Sequence, residues 1–408
     1  MSDSILTSDD DALFDFIAAH EGDDPVELLL RASLYPGIDL RFAAGQIAAR
    51  KLIRDKLPAW AHHPRLIFPS AKAAEQCSSE QTAAYKQSLI SPSDRVCDLT
   101  GGLGADSYFL AQRAAHLTYV DRNSDCCRAA AHNFRLLGLD NIAVIEGEAE
   151  AILPQLPETD VFYVDPDRRP TPHRRVITPD DSEPNLPSLL PRLLELAPKV
   201  IAKLSPMVDI DRMLRLLPGT TGVHVLAVRN ECKELLAVVE RNPQGASPAV
   251  NCINFTSAGA ETFVFDRQEE KNLTITHSPA VMQYIYEPNA AILKAGAFKS
   301  ITRPGVRKLH PDSHCYTSDS LVAGFPGRTF TVDEVIPFSG SLCRSIRKAI
   351  PQANITVRNF PLTVEALRRR TGITDGGNLY LLATTLLSGQ KVLLKLRPCK
   401  QPDARKCI

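Results

Sequence analysis

The chain has 408 residues, and its 47 Lys and Arg balance 47 Asp and Glu, so the formal net charge is zero. A hydrophobic share of 44% and a charged share of 23% exclude an intrinsically disordered chain, and the length predicts two to four domains of roughly 100–200 residues. No stretch approaches the ~18 consecutive apolar residues of a membrane-spanning helix, so no membrane partner is predicted.

The first part of the chain is predicted to be helical. From Asp9 to about Ser70, apolar residues recur at three- and four-residue spacings. Prolines interrupt this pattern at four places, which favours several short helices over one long helix. We assign residues 1–75 to an N-terminal helical domain.

The next part alternates short apolar runs with amphipathic stretches. Six runs rich in Val, Ile and Tyr occur between residues 95 and 228, and amphipathic stretches such as 106–115 and 124–137 lie between them. This alternation is typical of a parallel sheet with helices on both faces. We assign residues 76–271 to this α/β domain.

The C-terminal part is predicted to contain two smaller modules. A polar break at residues 266–272 precedes a segment punctuated by proline and glycine, which we assign to a small module at 272–327. The remainder, 328–408, reads as a small α/β sandwich. Its predicted elements are strand 329–337, helix 341–350, strand 354–360, helix 363–370, and strands 378–387 and 390–396.

A glycine-rich segment, residues 98–106, lies where a predicted strand ends and a helix begins. Asp98 precedes Gly101, Gly102 and Gly104. These glycines let the backbone turn tightly and approach a ligand closely while helix N–H groups face it. Taken alone, the pattern also fits an ordinary tight turn between a strand and a helix.

A second acid favours a nucleotide-like cofactor. Asp121 ends the next predicted strand, 23 residues beyond Asp98, close to the ~20-residue spacing of a carboxylate that pairs with ribose hydroxyls. An acid ahead of the glycines suits a cofactor with a cationic amino group and no phosphate, which points to S-adenosylmethionine. Glu148 follows the third strand, where it could meet the adenine amino edge or lie in a solvated acidic loop.

The candidate catalytic residues are Asp165, Pro166 and Asp167, which follow the fourth apolar run. The carboxyl ends of parallel strands are where such sheets bind ligands. The Asp165 carboxylate and the Pro166 carbonyl are both acceptors that can hold an exocyclic amine with its lone pair toward a transferable methyl group. This is catalysis by positioning and electrostatics. A nucleophilic Cys232 is a weaker alternative, because no base is evident near it.

Basic residues follow the candidate catalytic acid directly. Arg168, Arg169, Arg174 and Arg175 could bind a substrate phosphate, or could form ion pairs with the acids at 180, 181 and 183. Lys203 ends another predicted strand and is a further candidate substrate contact. It could approach a phosphate, neutralise a carboxylate, or lie in solvent as an ordinary surface lysine.

These motifs together resemble the class I S-adenosylmethionine-dependent methyltransferases across about residues 78–265. The segments 79–82, 98–106, 165–169, 203–206 and 231–236 resemble the family that carries a THUMP-like C-terminal domain. The resemblance implies a Rossmann-like domain with a mostly parallel seven-stranded sheet, followed by ferredoxin-like and THUMP-like α+β modules at 272–327 and 328–408. It also implies cofactor contacts from Ser79, Gln81, Thr82, Asp98, Thr100, Gly101, Gly102, Gly104, Asp106, Asp121 and Glu148.

The chain departs from the family pattern in the fourth motif. Methyltransferases that act on amino groups commonly follow Asp-Pro-Pro with an aromatic residue that stacks on the base, whereas Asp167 and Arg168 stand in those places here. The methylated atom is therefore left open by the sequence. The Arg168 guanidinium could stack on a base or pair with a phosphate.

The zero net charge hides an uneven distribution. Residues 1–27 hold nine acids and no Lys or Arg, whereas residues 341–408 hold thirteen bases against three acids, a net charge of +10. A basic module beside a methyltransferase favours RNA binding, although the basic tail could instead neutralise the acidic start.

Our leading hypothesis is a methyltransferase that acts on a base nitrogen of a structured RNA, tRNA or rRNA, with guanine N2 as the candidate atom. The alternatives are a protein or small-molecule methyltransferase and a non-catalytic RNA-binding factor. The acidic start lacks the basic and apolar regions of a signal peptide, so we expect a cytoplasmic protein. The ten cysteines contain no C-x-x-C pair, and we expect reduced thiols and no metal.

Overall fold

The computed structural model of the chain describes residues 11–168, 182–245 and 247–399, without the side chain of Arg168. The chain divides into two compact units. The first contains Met1–Thr221 and Leu235–Gln244, and the second contains Gly222–Glu234 and Gly245–Ile408. No helix in the described ranges is both long enough and apolar enough to cross a membrane.

The first unit begins with short helices, as the proline spacing predicts. Side-chain oxygens of Asp24, Asp39, Ser70 and Ser79 accept hydrogen bonds from backbone N–H groups in the first turn of a helix and so fix four of the helix starts. The helices are α1 (Asp11–Ala19), α2 (Pro25–Leu30), α3 (Leu40–Ile53), α4 (Pro58–His62), α5 (Ala71–Gln76) and α6 (Glu80–Gln87), with a 3₁₀ turn at Ala32–Leu34.

A parallel sheet follows, with helices between its strands. Five strands lie in the order β3-β2-β1-β4-β7, and all their pairings are parallel. The strands are β1 (Arg95–Asp98), β2 (His116–Asp121), β3 (Ile142–Glu146), β4 (Val161–Val164) and β7 (Lys199–Leu204), with a two-stranded ribbon of β5 (Asp167–Arg168) and β6 (Ser182–Glu183). The helices are α7 (Ala105–Ala111), α8 (Ser124–Leu136), α9 (Ala149–Ile152), α10 (Leu186–Leu196) and α11 (Ile210–Leu216), with a 3₁₀ turn at Leu153–Gln155.

The large sheet has nine strands, so the prediction of seven is wrong in number. Seven strands keep the order β3-β2-β1-β4-β7-β9-β8, and a hairpin adds two more, because β10 pairs in parallel with β8 and β11 pairs antiparallel with β10. Five pairings in the described part of this sheet are parallel, whereas the pairings β7–β9 and β10–β11 are antiparallel. These strands are β8 (Thr220–Val228), β9 (Glu231–Glu240), β10 (Ala249–Thr256) and β11 (Gly259–Asp266).

The second unit contains a separate seven-stranded sheet. Its order is β13-β14-β12-β15-β18-β17-β16, and only β16–β17 is a parallel pair in the described part of the chain. The predicted polar break at 266–272 is the short helix α12 (Arg267–Asn272), capped by Asp266. The strands are β12 (Tyr284–Pro288), β13 (Arg307–His310), β14 (Ser313–Ser318), β15 (Gly327–Pro337), β16 (Asn354–Arg358), β17 (Tyr380–Thr385) and β18 (Lys391–Pro398), and the helices are α13 (Ala290–Ala295), α14 (Gly340–Ala349) and α15 (Val364–Thr371).

Candidate functional site

A cleft of about 580 Å³ lies in the first unit, at the carboxyl ends of β1, β2 and β4. Parallel strands deliver the residues that follow them to one edge of the sheet, so side chains far apart in sequence meet there. Ten of the predicted site residues line this cleft: Asp98, Thr100, Gly101, Gly102, Gly104, Asp106, Asp121, Glu148, Asp165 and Asp167.

The glycine loop is held against the ring of Tyr119, a residue of β2. The Tyr119 hydroxyl donates a hydrogen bond of 2.7 Å to the Gly102 carbonyl, and a Cβ atom at Gly101 would overlap the Tyr119 ring. Gly102 and Gly104 have φ values of +54° and +87°, in the left-handed region that favours glycine. The loop therefore packs closely against β2, and its backbone, which carries no side chains at the three glycines, can approach a ligand closely.

Asp98 is a buried acid at the wall of the cleft, with 1% of its surface exposed. It accepts hydrogen bonds from the Ser107 hydroxyl at 2.5 Å and from the Thr100 backbone N–H at 3.0 Å. Burial raises the pKa of Asp98 to about 7, the two hydrogen bonds oppose that rise, and the charges of Asp106 and Asp165 add to it. A cation bound beside Asp98 would stabilise its carboxylate.

Asp106 is bound within the protein. Its carboxylate pairs with Lys86 Nζ at 2.9 Å and accepts hydrogen bonds from the Ser78 and Tyr163 hydroxyls at 2.8 and 2.7 Å. Burial acts to raise the pKa of Asp106, but Lys86, Lys203 and these hydrogen bonds outweigh it, so the pKa is lowered. Asp106 lines the cleft, and its ion pair with Lys86 joins α7 to α6; the predicted contact with the cofactor stays a prediction.

Asp121 links the glycine loop to the start of α8. One carboxylate oxygen accepts the Gly102 N–H at 2.7 Å, and the other accepts the Asn123 N–H at 2.8 Å. Each oxygen has a second lone pair with which it can accept a ribose hydroxyl. Glu148 is exposed at the start of α9 and makes no side-chain cap there.

Asp165 lies beside the glycine loop and is paired with a lysine. Its backbone N–H donates to the Thr100 hydroxyl at 2.6 Å, and its Oδ2 atom forms an ion pair with Lys203 Nζ. Lys203, a predicted substrate contact, is thus bound to the candidate catalytic acid, and its side chain is only 12% exposed. Asp167 lies 3.4 Å from Lys72 Nζ, and Pro166 is not among the residues that line the cleft.

The predicted contacts at 79–82 form the start of α6. The Ser79 hydroxyl accepts a hydrogen bond from the Thr82 N–H at 3.3 Å, Thr82 is buried, and Gln81 is exposed. Neither Ser79, Gln81 nor Thr82 lines the cleft. Sequence reasoning missed their neighbours, since Ser78 and several residues of α5 and its two caps do line it: Ser70, Lys72, Ala73, Gln76 and Cys77.

The predicted phosphate-binding loop falls mostly outside the described residues, which include neither the Arg168 side chain nor Arg169, Arg174 and Arg175. Its flanks are described. Asp167 and Arg168 pair in an antiparallel ribbon with Ser182 and Glu183, and Arg122 Nη1 lies 2.8 Å from the Glu183 carboxylate. These four arginines stay predicted substrate contacts.

The cysteines give little support to a nucleophilic alternative. The nine cysteines in the described part of the chain are free thiols. Burial raises the pKa of the Cys232 thiol to about 11, so the thiol form dominates near neutral pH. No group of three or more His, Cys, Asp or Glu among the described residues could hold a metal ion.

The second unit carries exposed basic residues on two neighbouring helices. Arg344, Arg347 and Lys348 lie on α14, and Arg369 and Arg370 lie on α15. All five are exposed, and none forms an ion pair with another described residue. Such unpaired guanidinium and ammonium groups are available to an anionic partner.

Comparison with known proteins gives matches to both parts of the chain. Residues 284–326 match the family model of a ferredoxin-like domain, and residues 327–398 match that of a THUMP domain-like module. A crystal structure of a protein from Porphyromonas gingivalis W83, assigned as a methyltransferase, superposes with a TM-score of 0.87. The two chains are 38% identical, and the match covers 95% of this chain and 98% of the other.

A second relative matches over a shorter stretch. A protein of Halalkalibacterium halodurans, named as an uncharacterized RNA methyltransferase, is 36% identical over 109 residues. That stretch is 24% of this chain and 24% of the relative, so most of the relative's length has no counterpart in the match.

Proposed function

Because the chain belongs to the class I S-adenosylmethionine-dependent methyltransferases that carry a THUMP-like domain, we propose that it methylates a structured RNA on a base nitrogen. The observation that carries the proposal is the position of Asp165. Its carboxylate lies at the wall of the cofactor cleft, next to the glycine loop, and pairs with Lys203, whose side chain is mostly buried.

The residues of the cleft fit S-adenosylmethionine chemically. The buried Asp98 suits the cationic ammonium group of the cofactor. The glycine loop permits a close approach of the cofactor to its backbone, and Asp121 retains lone pairs that can accept ribose hydroxyls. Glu148 and the following backbone suit the adenine amino edge. When bound, the cofactor supplies an electrophilic methyl group.

Asp165 would orient the attacking amine. Lys203 binds Oδ2, and no described residue donates a hydrogen bond to Oδ1, so Oδ1 is the oxygen that can accept the N–H of an exocyclic amine. An amine held by this carboxylate keeps its lone pair toward the methyl group, and the carboxylate stabilises the positive charge that develops on nitrogen.

Guanine N2 is our candidate for the methylated atom. It is an exocyclic amine, and methylation of such an amine needs a hydrogen-bond acceptor such as Asp165 Oδ1 but no covalent activation of the base. The Arg168 guanidinium would stack on the base or bind the adjacent phosphate, in place of the aromatic residue that commonly follows this motif. The exposed cations of α14 and α15 would attract the phosphates of RNA, whatever its sequence. The RNA methyltransferase relative gives independent support for an RNA substrate.

The test is methyl transfer from labelled S-adenosylmethionine into total RNA from cells that lack this protein. We expect S-adenosylhomocysteine to form only when RNA is added, and N2-methylguanosine to increase in the digested RNA by mass spectrometry. Label in another nucleoside would contradict guanine N2 while keeping RNA as the substrate. Label in protein or small molecules, with none in RNA, would reject the proposal in favour of the other substrate classes.

A non-catalytic role makes a different prediction in the same assay. Cofactor binding by calorimetry, with no transfer to any RNA pool, would indicate an RNA-binding factor. Asp165→Asn is the matched control, because it preserves shape and removes the charge that the proposed mechanism requires. Equal turnover by Asp165→Asn and the wild type would show that the label comes from another enzyme or another site.

A further inference from the structure

A second cavity, of about 210 Å³, lies next to the cofactor cleft in the first unit. It is open to solvent and is lined by residues of α3, by residues 67–70 and by residues of α8. Ser70 lines both cavities, and α8 runs from one to the other, since Cys126 lines the cleft and Arg128 lines the second cavity. A flexible polymer bound in the cleft can therefore extend into this cavity.

The walls of the second cavity combine aromatic rings with guanidinium groups. Phe42 is half-buried and Phe68 is buried, and both lie at the apolar part of the wall. Arg41 and Arg128 are exposed at the wall; Arg128 pairs with Asp125, and Arg41 forms no ion pair with another described residue. Aromatic faces that stack on bases, with arginines that reach phosphates, are the usual components of single-stranded nucleic-acid sites.

The volume of the cavity matches one ring system. Sites that enclose a whole drug-sized ligand occupy roughly 300–1,000 Å³, and the volume here is below that range. The cavity could therefore hold only part of a molecule the size of the cofactor. A single nucleobase, with its sugar and phosphate outside near Arg41, matches the volume and the charge.

The wall at Phe68 is fixed before any ligand binds. The Gln46 side chain, 3% exposed, donates to the Phe68 carbonyl and accepts from the Phe68 N–H, both at 2.9 Å. The Arg50 guanidinium lies 5.3 Å from the centre of the Phe68 ring. A rigid wall lowers the entropy lost on binding, because no loop has to become ordered.

Gly45 keeps the cavity open. It lies inside α3, where glycine is disfavoured relative to alanine, and its φ is not in the left-handed region. A Cβ atom at Gly45 would meet no other atom within 4 Å, so neither backbone conformation nor close packing requires glycine there. Because Gly45 lines the cavity, a larger side chain at this position would occupy space that a ligand could use.

We propose that this cavity binds one nucleobase of the RNA substrate, from a nucleotide other than the one that is methylated. The inference rests on the proposed function. Enzymes that act on a base place it in the active site and select their substrates partly through neighbouring nucleotides. The second cavity supplies such a contact, with the base against the half-buried Phe42, beside the wall at Phe68, and its phosphate near Arg41.

Two variants test the cavity by kinetics with total RNA. Gly45→Leu should raise the KM for RNA at least tenfold, with kcat and the Kd for S-adenosylmethionine within twofold of the wild type. Arg41→Ala should raise KM and lower the log-log salt slope of RNA binding by roughly 0.7–0.9, the value for one phosphate contact. Arg54→Ala removes the same charge just beyond α3, where Arg54 pairs with Glu21, and should leave KM unchanged.

The outcomes separate this inference from the proposed function. Wild-type KM in both Gly45→Leu and Arg41→Ala would overturn the inference, as would a tenfold loss of cofactor affinity in Gly45→Leu. Gly45→Ala should have a Tm at or above that of the wild type, because alanine is favoured over glycine inside a helix. If Gly45→Leu fails to fold, the KM of Arg41→Ala alone tests the inference.

If the wild type shows no RNA-dependent turnover, the proposed function is rejected. A crosslinking experiment then tests the cavity directly. Total RNA containing 4-thiouridine is then photo-crosslinked to the protein, and the attached peptides are identified by mass spectrometry. Crosslinks to α3 or residues 67–70 that disappear in Arg41→Ala support a nucleobase in the cavity. Crosslinks confined to other segments overturn it.

Discussion

The Asp165 carboxylate is held by neighbours from two other elements. Thr100 of the glycine loop accepts the Asp165 N–H, and Lys203 at the end of β7 binds Oδ2. These contacts fix both the backbone and the side chain of Asp165 relative to the loop that is proposed to hold the cofactor. Precise positioning of this kind is the main contribution that a protein can make to a direct methyl transfer.

Replacing Asp165 with asparagine should abolish catalysis and spare cofactor binding. The asparagine keeps the size of the side chain but removes the carboxylate charge that pairs with Lys203 and that would balance the positive charge developing on nitrogen. By analogy with the loss of one preorganised electrostatic group, we expect turnover to fall by roughly 10²–10³-fold. The Kd for S-adenosylmethionine, measured by calorimetry, should stay within a few fold; a Kd that rises in parallel with the loss of turnover would assign Asp165 to cofactor binding instead.

Asp98 should make cofactor affinity depend on pH. Its pKa is raised to about 7 by burial, so at pH 6 most molecules carry a protonated Asp98 and at pH 8 most carry the carboxylate. The ammonium group of the cofactor binds the carboxylate form of Asp98, so at pH 6 binding requires that Asp98 lose its proton. We expect the Kd for S-adenosylmethionine to fall roughly tenfold from pH 6 to pH 8.

The control for this pH dependence is Asp98→Asn. The variant has no ionisable group at this position, so its affinity should be weak and nearly flat over the same range, measured by calorimetry in matched buffers. A steep pH dependence that persists in Asp98→Asn would assign the titration to a group other than Asp98.

Among the elements, the glycine loop shows how strongly a single turn is determined by its neighbours. Tyr119 is fully buried, its ring fills the space beside Gly101, and its hydroxyl binds the Gly102 carbonyl. The ring also packs edge-on against Phe134 of α8, with 5.8 Å between the ring centres. Tyr119 therefore cannot move aside for a larger residue in the loop.

Gly101→Ala should destabilise the ligand-free protein. The new Cβ atom would overlap the Tyr119 ring, and overpacking of a rigid core costs roughly 1–3 kcal/mol. We expect a lower Tm by calorimetry without ligand. Gly147→Ala is the matched control, since its Cβ would lie 3.5 Å from Ile152, an ordinary contact; equal Tm values for the two variants would contradict the overlap.

Local patterns predicted most individual elements because each contained its own signal. The apolar run at 161–164 is β4 without any change of limits, and the predicted helix at 124–137 is α8, which ends one residue earlier. Asp98, Asp121 and Asp165 line one cleft because the ends of parallel strands meet at one edge of a sheet, and their roles stay predictions.

Features that depend on tertiary contacts were not predictable in the same way. The pairing of Lys86 with Asp106 joins α6 to α7, and no spacing in the sequence relates those two residues. The hairpin of β10 and β11 lies inside the region assigned to the α/β sheet, yet nothing local marks it as an extension beyond seven strands. The structure adds that Ser79 caps α6, a use of serine that needs no ligand, and the cofactor contact of residues 79–82 stays a prediction.

Across the whole molecule, the zero net charge is divided among three stretches of sequence. Residues 1–27 carry only acids, residues 28–340 carry 34 bases and 35 acids, and the C-terminal stretch from residue 341 carries the excess of bases. Within that stretch, Arg368 is engaged by Asp375, whereas Arg369 and Arg370 are exposed at the end of α15. The excess positive charge is thus presented partly by side chains that are free to meet an anion.

Removing two of these charges should weaken RNA binding by an electrostatic mechanism. Each phosphate neutralised contributes roughly 0.7–0.9 to the slope of log affinity against log salt, because bound counterions are released. The double variant Arg369→Ala, Arg370→Ala should therefore lower the slope by roughly 1.4–1.8 and raise the Kd for total RNA most at low salt, measured by fluorescence anisotropy. Arg192→Ala, which removes a guanidinium already paired with Glu195 on α10, should leave the slope unchanged. An unchanged slope in the double variant would place the RNA on another surface, and the basic C-terminal stretch would then have a structural role.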